Sequence, residues 1–310
     1  MIAQICPAKP GLVSVLMPMR NAERYVRGAV SSIIAQTYAD IEIIIVDDGS
    51  SDASAEIVRS FVDARIKLFC RPPQGITKSL NFGLSQCAGE FVCRMDADDI
   101  CFPDRVTRQV EFIRRRCADV VWCTADFIDE NGDMICRRYQ PSENFTVRML
   151  HHTNHIMHPG VLMRRDIVLE AGGYDDSVVN GQDQALWLTL RAKGSGFALL
   201  REKLMLQRFH ASNITSLRFG MHGSEAQRNA VLSLKSRDTD RFFHYLCQVG
   251  DRAWQVRLLA RWLIGEDTIF WFRTMLRVLG IESLLRALRL VSPQVSYAPL
   301  KQKSGKKDWR

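Results

Sequence analysis

The chain has 310 residues, 46% of them hydrophobic and 25% charged, which excludes a disordered or collagen-like polymer and is enough to bury one large core or two modest ones. Its net charge of +8 is uneven: residues 1–200 hold 22 basic and 25 acidic side chains, a net of −3, and residues 201–310 hold 20 and 9, a net of +11. No stretch approaches ~18 uncharged apolar residues, and "MIAQICPAKPG" has no basic leading region, so neither a spanning helix nor a secretory signal is expected.

The first element is "LVSVLMPM" (Leu12–Met19), an apolar run that reads as a buried strand. The next segment puts Tyr25, Val26, Ala29, Val30, Ile33 and Ile34 at helical spacing. "IEIIIV" (Ile41–Val46) is β-branched and apolar on both faces, as a central parallel strand is. "SDASAEIVRSFVD" reads as a helix capped by Ser51 or Asp52. A short strand "IKLF", a helix "ITKSLNFGLSQC" and a strand "GEFVCRM" follow. A helix starts near Pro103. "DVVWCTADFID" and "MICRRY" flank the turn "DENGD" and suggest an antiparallel excursion. "HPGVLMRRDIVLEAGGYDD" mixes a strand, a short helix and a Gly-Gly stop. "QDQALWLTLRAKG" is a helix, "KLMLQRFH" a late strand, and from Met221 onward the pattern is helical.

Strands alternating with helices imply βαβ units and a parallel sheet, whose ligands bind beyond the carboxyl ends of the strands. Three polar clusters fall there: "PMRN", "DDGSSD" and "DADD". The last packs Asp96, Asp98 and Asp99 into four positions. Asp96 and Asp98 can diverge around one hard cation, and Mg²⁺ or Mn²⁺ is commonly held by one or two carboxylates plus substrate phosphates. Helix capping by Asp98 or Asp99 is the plainer alternative. Nine cysteines, scattered and without a C-x-x-C pair, point to a reducing, cytoplasmic setting with no disulfide framework.

The ordered set "VSVLMPMRNAERYV", "SIIAQTYADIEIIIVDDGSSD", "SLNFGLSQCAGEFVCRMDADDICFPDR", "HPGVLMRRDIVLEAGGYD" and "QDQALWL" resembles family 2 glycosyltransferases, over about residues 11–210. The resemblance implies an α/β chain with the GT-A fold, a Rossmann-like, mainly parallel sheet, and an inverting sugar transfer from a nucleotide-sugar. It divides the chain into a catalytic domain at 1–215, with a nucleotide-sugar half at 11–105 and an acceptor half at 106–215. A helical region at 216–300 and a disordered basic tail at 301–310 complete the expected organisation.

The resemblance also implies roles. Asp48, with Asp47, would accept from the base or ribose, and Pro18 would line the nucleoside pocket. Arg20 stands where many relatives have Tyr, and would stack on the base, contact phosphate or face solvent. Asp98 would be the most direct metal ligand, with Asp96 a second ligand or nearer the ribose. His158 would sit beside the acceptor crevice and His210 near the diphosphate. Asp52 is read as a helix cap, Asn81 as structural, and Asp99 and Arg105 as a capping ion pair. The general base would be Asp183, with a helix N-cap or first-turn acid as the plainer alternative; relatives commonly show Glu-Asp there, and Gln182 replaces the first acid, leaving Asp183 without a neighbouring like charge to raise its pKa. A zinc site among His151, His152, His155 and His158 is disfavoured, because the segment spans a helix end and a proline.

The family's commonest donor makes a UDP-sugar the expected substrate, with a saccharide or lipid-linked saccharide as acceptor. A non-catalytic nucleotide-sugar binder is the alternative that Gln182 keeps open. A nucleotidyltransferase ranks last, because "PMRNAERY" lacks a glycine-rich phosphate loop. The C-terminal region interleaves Trp254, Trp262 and Trp271 with arginines, the composition of a basic helix lying on an anionic membrane at the inner face or of a packed helical cap. No nucleic-acid reader motif occurs.

Overall fold

The structure, a computed structural model, describes residues 7–210 apart from 138, 139, 141, 152, 153, 179 and 180. All of these fall in the first of the two units into which the chain divides, Met1–Ser216. The expected helical region at 216–300 and tail at 301–310 lie outside the described residues.

In chain order the elements are β1 (Lys9–Met19), α1 (Val26–Ile34), β2 (Ile41–Asp48), α2 (Ser54–Arg59), β3 (Ile66–Arg71), α3 (Ile76–Gln86), β4 (Gly89–Arg94), β5 (Ile100–Cys101), α4 (Arg105–Arg116), β6 (Val120–Ile128), β7 (Met134–Arg137), α5 (Glu143–Arg148), β8 (Val161–Arg164), α6 (Arg165–Glu170), α7 (Gln182–Ala192) and β9 (Phe197–Arg208). A 3₁₀ turn, His158–Gly160, precedes β8. Helix α1 buries Val26, Ala29, Val30 and Ile33, one stripe at helical spacing. Helix α2 is shorter than "SDASAEIVRSFVD" suggests. Its chain turns away at Asp63, whose Oδ1 accepts the Arg65 N–H at 2.9 Å and starts the approach to β3.

The sheet order is β3-β2-β1-β4-β8-β6-β9-β5, with β7 beside β6. Strands β3, β2, β1 and β4 run parallel. Strand β8 is antiparallel to both β4 and β6, and β9 is parallel to β6. The carboxyl ends of β1, β2, β3, β4 and β6 therefore share one edge, and β8 begins at that edge.

Period-two alternation assigns the two faces. Val15, Met17, Ile43 and Ile45 enter one core cluster, while Leu16, Ile44 and Val46 enter the other, with Trp122 and Trp187. Burying each such aliphatic side chain contributes about 1.5–3 kcal/mol. With both faces covered, the sheet is a rigid frame, and only its edges carry loops open to ligand. Among the described residues no helix is long and apolar enough to cross a membrane.

Candidate active site

The β1 and β2 ends are tied together through their loops. Asn21 adopts a left-handed φ of 49° just after β1. That turn lets its Oδ1 accept the Ser51 N–H at 2.9 Å while its own N–H donates to Ser50 Oγ at 2.9 Å. Asp47 Oδ1 in turn accepts the N–H of Ser50 at 3.0 Å. Asp48 Oδ1 accepts the Gln74 N–H at 2.8 Å, and its Oδ2 accepts the Gly75 N–H at 2.9 Å, at the entry to α3. Both carboxylates are buried and organise backbone. Pro18 is buried opposite Val46 in the β1–β2 register, and Arg20 is exposed. Asp52 accepts the Ser54 N–H at 3.0 Å, so it secures the start of α2 although Ala53 holds the cap position.

Beyond β4 lies the acidic loop. Arg94, on the last residue of β4, is 1% exposed and ion-pairs with Asp96 Oδ1. Asp96 keeps a third of its side chain open, yet loss of hydration outweighs Arg94 and raises its carboxyl above the usual range, with Asp98 adding to the shift. Asp99 is 1% exposed, and burial, then Asp98 and Asp96, push its carboxyl well up. Its Oδ1 accepts the Arg208 N–H at 2.8 Å. The expected Asp99–Arg105 pairing is not what these groups do. Arg105 is buried and donates to Arg94 O at 2.8 Å and Gln109 Oε1 at 3.0 Å, bracing β4 from below.

Strand β9 closes the loop from the other side. Arg208 Nε donates to Asp98 O at 2.9 Å and its Nη1 to Asp129 O at 2.9 Å. His210 Nε2 sits 2.9 Å from Asp98 Oδ2, and its ring lies 4.7 Å from that of Tyr25. One ligand oxygen from each of Asp96, Asp98 and Asp99 falls within 4.8 Å of the others. Like charges this close persist only with a proton or a cation among them, and an all-carboxylate donor set is what a hard divalent ion takes. The residues present therefore fit Mg²⁺ or Mn²⁺. Among the described residues this is the one such group. His151 is exposed, and His152 lies outside the described residues.

The acceptor half meets the same edge. Asn81 Oδ1 accepts the Tyr174 N–H at 2.8 Å and its Nδ2 donates to Tyr174 O at 2.8 Å, so its role is structural, as expected. Gly173 has a φ of 75°, and a Cβ there would meet Asn81 Oδ1 at 2.7 Å, so the turn requires glycine. His158 is buried rather than open to a crevice. Its Nε2 lies 2.8 Å from Tyr174 Oη, its ring faces Trp187, and burial holds its pKa well below 6.5 with Arg94 adding to the shift. Asp183 stands in the first turn of α7 behind Gly181 at φ 82°. Its Oδ2 accepts from Asn154 Nδ2 at 2.7 Å. The absence of a sequence-adjacent acid does not leave its pKa unshifted: burial raises it, against the Gln184 amide and Arg94. Asp183 also lies close enough to Asp96 to raise that carboxyl.

Sequence reasoning missed Arg94, Tyr174, Arg208 and Asn154. A charge inside the apolar run "FVCRM" is a detectable sign, because a buried arginine needs a partner. Arg208 in "LMLQRF" is the same case. Nothing local marks Asn154.

A family model described as glycosyl transferase family 2 matches residues 14–172. The O-antigen biosynthesis glycosyltransferase WbnJ of Escherichia coli is 28% identical over 184 residues, covering 58% of this chain and 71% of that one. Among solved structures, residues 1–349 of S. aureus TarS in complex with UDP-GlcNAc align with a TM-score of 0.57 at 18% identity, covering 84% of this chain and 73% of that one. The mannosyltransferase PcManGT of Pyrobaculum calidifontis, in complex with GDP-Man and Mn²⁺, aligns at 0.55 and 16% identity, covering 94% and 84%. The curled, mostly parallel sheet is the GT-A fold of these glycosyltransferases. The chain belongs to glycosyl transferase family 2.

Proposed function

We propose that the chain transfers a sugar from a nucleoside diphosphate sugar, a UDP-sugar first among them, to an acceptor hydroxyl with inversion at the anomeric carbon. The observation that carries this reading is the approach of two acidic groups with separate tasks: the 96–99 cluster at the end of β4 and Asp183 at the start of α7. Asp98 and Asp96 are the residues that would hold Mg²⁺ or Mn²⁺, which when bound supplies positive charge to the departing diphosphate. His210 fixes Asp98 from the side.

Asp47 and Asp48 shape the nucleoside half with Pro18, and Arg20 stands at its open rim. Asp183 takes the proton of the acceptor hydroxyl. Burial raises its carboxyl above the ordinary aspartate value, which makes it a better proton acceptor than an exposed aspartate. Neutral His158 holds Tyr174 in the wall behind it.

The acceptor on this reading is a saccharide or lipid-linked saccharide in the synthesis of bacterial-type polysaccharide. WbnJ, named for O-antigen biosynthesis, supports that direction, and the UDP-GlcNAc and GDP-Man neighbours support a nucleotide-sugar donor. Residues 1–215 would be the catalytic domain, and the basic 216–300 region would meet an anionic membrane at its inner face.

The test is a panel of UDP-glucose, UDP-GlcNAc, UDP-galactose and GDP-mannose, each with MgCl₂, MnCl₂ or EDTA. Thermal stabilisation and slow hydrolysis are both read. One donor should stabilise and be hydrolysed only with metal. A donor that stabilises the chain and is never hydrolysed makes it a non-catalytic binder.

A further inference from the structure

Asn154 lies outside every motif that marks the site, in the segment where the histidines draw attention. Its Nδ2 donates to Asp183 Oδ2 at 2.7 Å, across 29 residues of sequence. Its Oδ1 accepts the backbone N–H of Ile156 at 3.1 Å. The second bond decides the orientation of the first. A backbone N–H can only donate, so the carbonyl oxygen must face Ile156 and the NH₂ must face the carboxylate.

The anchor is firm. Ile156, Met157, His158, Pro159 and Gly160 are all buried, and His158 is further held by Tyr174. Asn154 is thus a donor fixed to the core and aimed at one oxygen of Asp183. Gln184 Nε2 donates to Leu150 O at 2.6 Å and ties the first turn of α7 to the same segment, and the Gln184 and Asp183 backbone amides also bond the Asp183 carboxylate. The first acid of the family's Glu-Asp pattern is absent, and a neutral donor reaches Asp183 from another part of the chain.

We propose that Asn154 is a positioning residue for proton removal from the acceptor: it fixes the rotation of the Asp183 carboxylate by occupying Oδ2, so that the other oxygen receives the proton. This rests on the reading of Asp183 as the base. In the step concerned the acceptor oxygen forms a bond to the anomeric carbon. The anomeric carbon–phosphate oxygen bond breaks, its electron pair leaves with the nucleoside diphosphate, and the hydroxyl proton passes to Asp183. Asn154 exchanges no proton.

The experiment uses the full chain, water as the acceptor, and whichever of the four donors above gives the largest thermal stabilisation. Asn154→Ala should lower kcat for hydrolysis roughly 10–100-fold, the size of a lost hydrogen bond to a charged group. KM for the donor should stay within a few-fold. Asn154→Asp, nearly isosteric but carrying a like charge, should lose at least as much. The decisive arm is the double variant. In an Asp183→Asn background, Asn154→Ala should cost nothing further, because Asn154 acts through Asp183. A structural tie alone would give a fall in melting temperature with additive losses in the double variant, and that result overturns the proposal. Normal hydrolysis in Asp183→Asn overturns the base itself. Slow Asp183→Asn beside normal Asn154→Ala overturns only the role given to Asn154.

Discussion

The Nε2 of His210 lies 2.9 Å from Oδ2 of Asp98, across 112 residues of sequence. The contact joins the end of the last described strand to the middle of the acidic loop. It leaves Asp98 held by a side chain, while Asp99 is held by the Arg208 backbone and Asp96 by Arg94.

Asp98→Ala should abolish donor hydrolysis and remove the metal dependence of donor binding, since no neighbour can replace a direct ligand and Asp96 would be left to hold the ion alone. Its melting temperature should hold, because one of three crowded carboxylates is gone. Hydrolysis with a manganese titration and a thermal melt check both. Full turnover in the variant, or a parent indifferent to EDTA, removes the metal from the site.

Asp48 bonds two backbone amides at the mouth of α3. Asp48→Ala orphans the Gln74 and Gly75 N–H groups and should cost about 1–3 kcal/mol in urea unfolding. Asp48→Asn keeps one acceptor oxygen and should retain most of that stability. If Asp48 also accepts from the base, the Asn variant should still lose UDP affinity by calorimetry. Parental UDP affinity in Asp48→Asn would confine the residue to the turn.

His158 is neutral in the fold and its pKa is depressed, so the unfolded chain binds a proton there that the native chain refuses. Its contribution is fully present above the ordinary histidine pKa of about 6.5 and is lost as pH falls toward the folded value. His158→Gln should flatten that acid limb by up to about 1.4 kcal/mol per pH unit relative to parent. Urea midpoints at several pH values between the two limits measure the difference. Parallel curves for the two proteins would mean that His158 does not resist protonation.

The net of +11 over residues 201–310 should draw the full chain to anionic liposomes at low salt, with binding falling as salt rises. Co-sedimentation with phosphatidylglycerol and phosphatidylcholine vesicles is the measure. Equal indifference to both lipids at low salt would leave the basic residues as a solvated face.

The strands that frame the donor half are legible because burial on both faces writes them as unbroken apolar runs: Ile41–Asp48 needs no partner to be seen. Strand β9 is legible only from Lys203, because exposed Arg201, half-buried Glu202 and exposed Lys203 interrupt its apolar pattern. The acidic clusters were placed correctly at the strand ends, since a parallel sheet fixes which ends meet. What stayed hidden were contacts made between distant elements. Tyr174 reaches His158 and Asn81, and Asn154 reaches Asp183, and no local pattern announces either. The same gap explains Asp183: its neighbours in sequence offer no like charge, but the fold buries it and sets Asp96 within electrostatic reach.

Strand β8 runs against both its neighbours, so the chain leaves the sheet at Ile128 and rejoins it at Val161 on the same edge. Within that stretch the β7 hairpin pairs with β6, Glu143 Oε2 accepts the Leu199 N–H of β9 at 2.7 Å, and residues 156–160 are buried. Length and composition are therefore free to change only away from those ties, at the exposed turn 131–134 between β6 and β7. The excursion is a clamped insert: a graft of it from one relative to another should fold only where Glu143 and the buried positions 156–160 are kept.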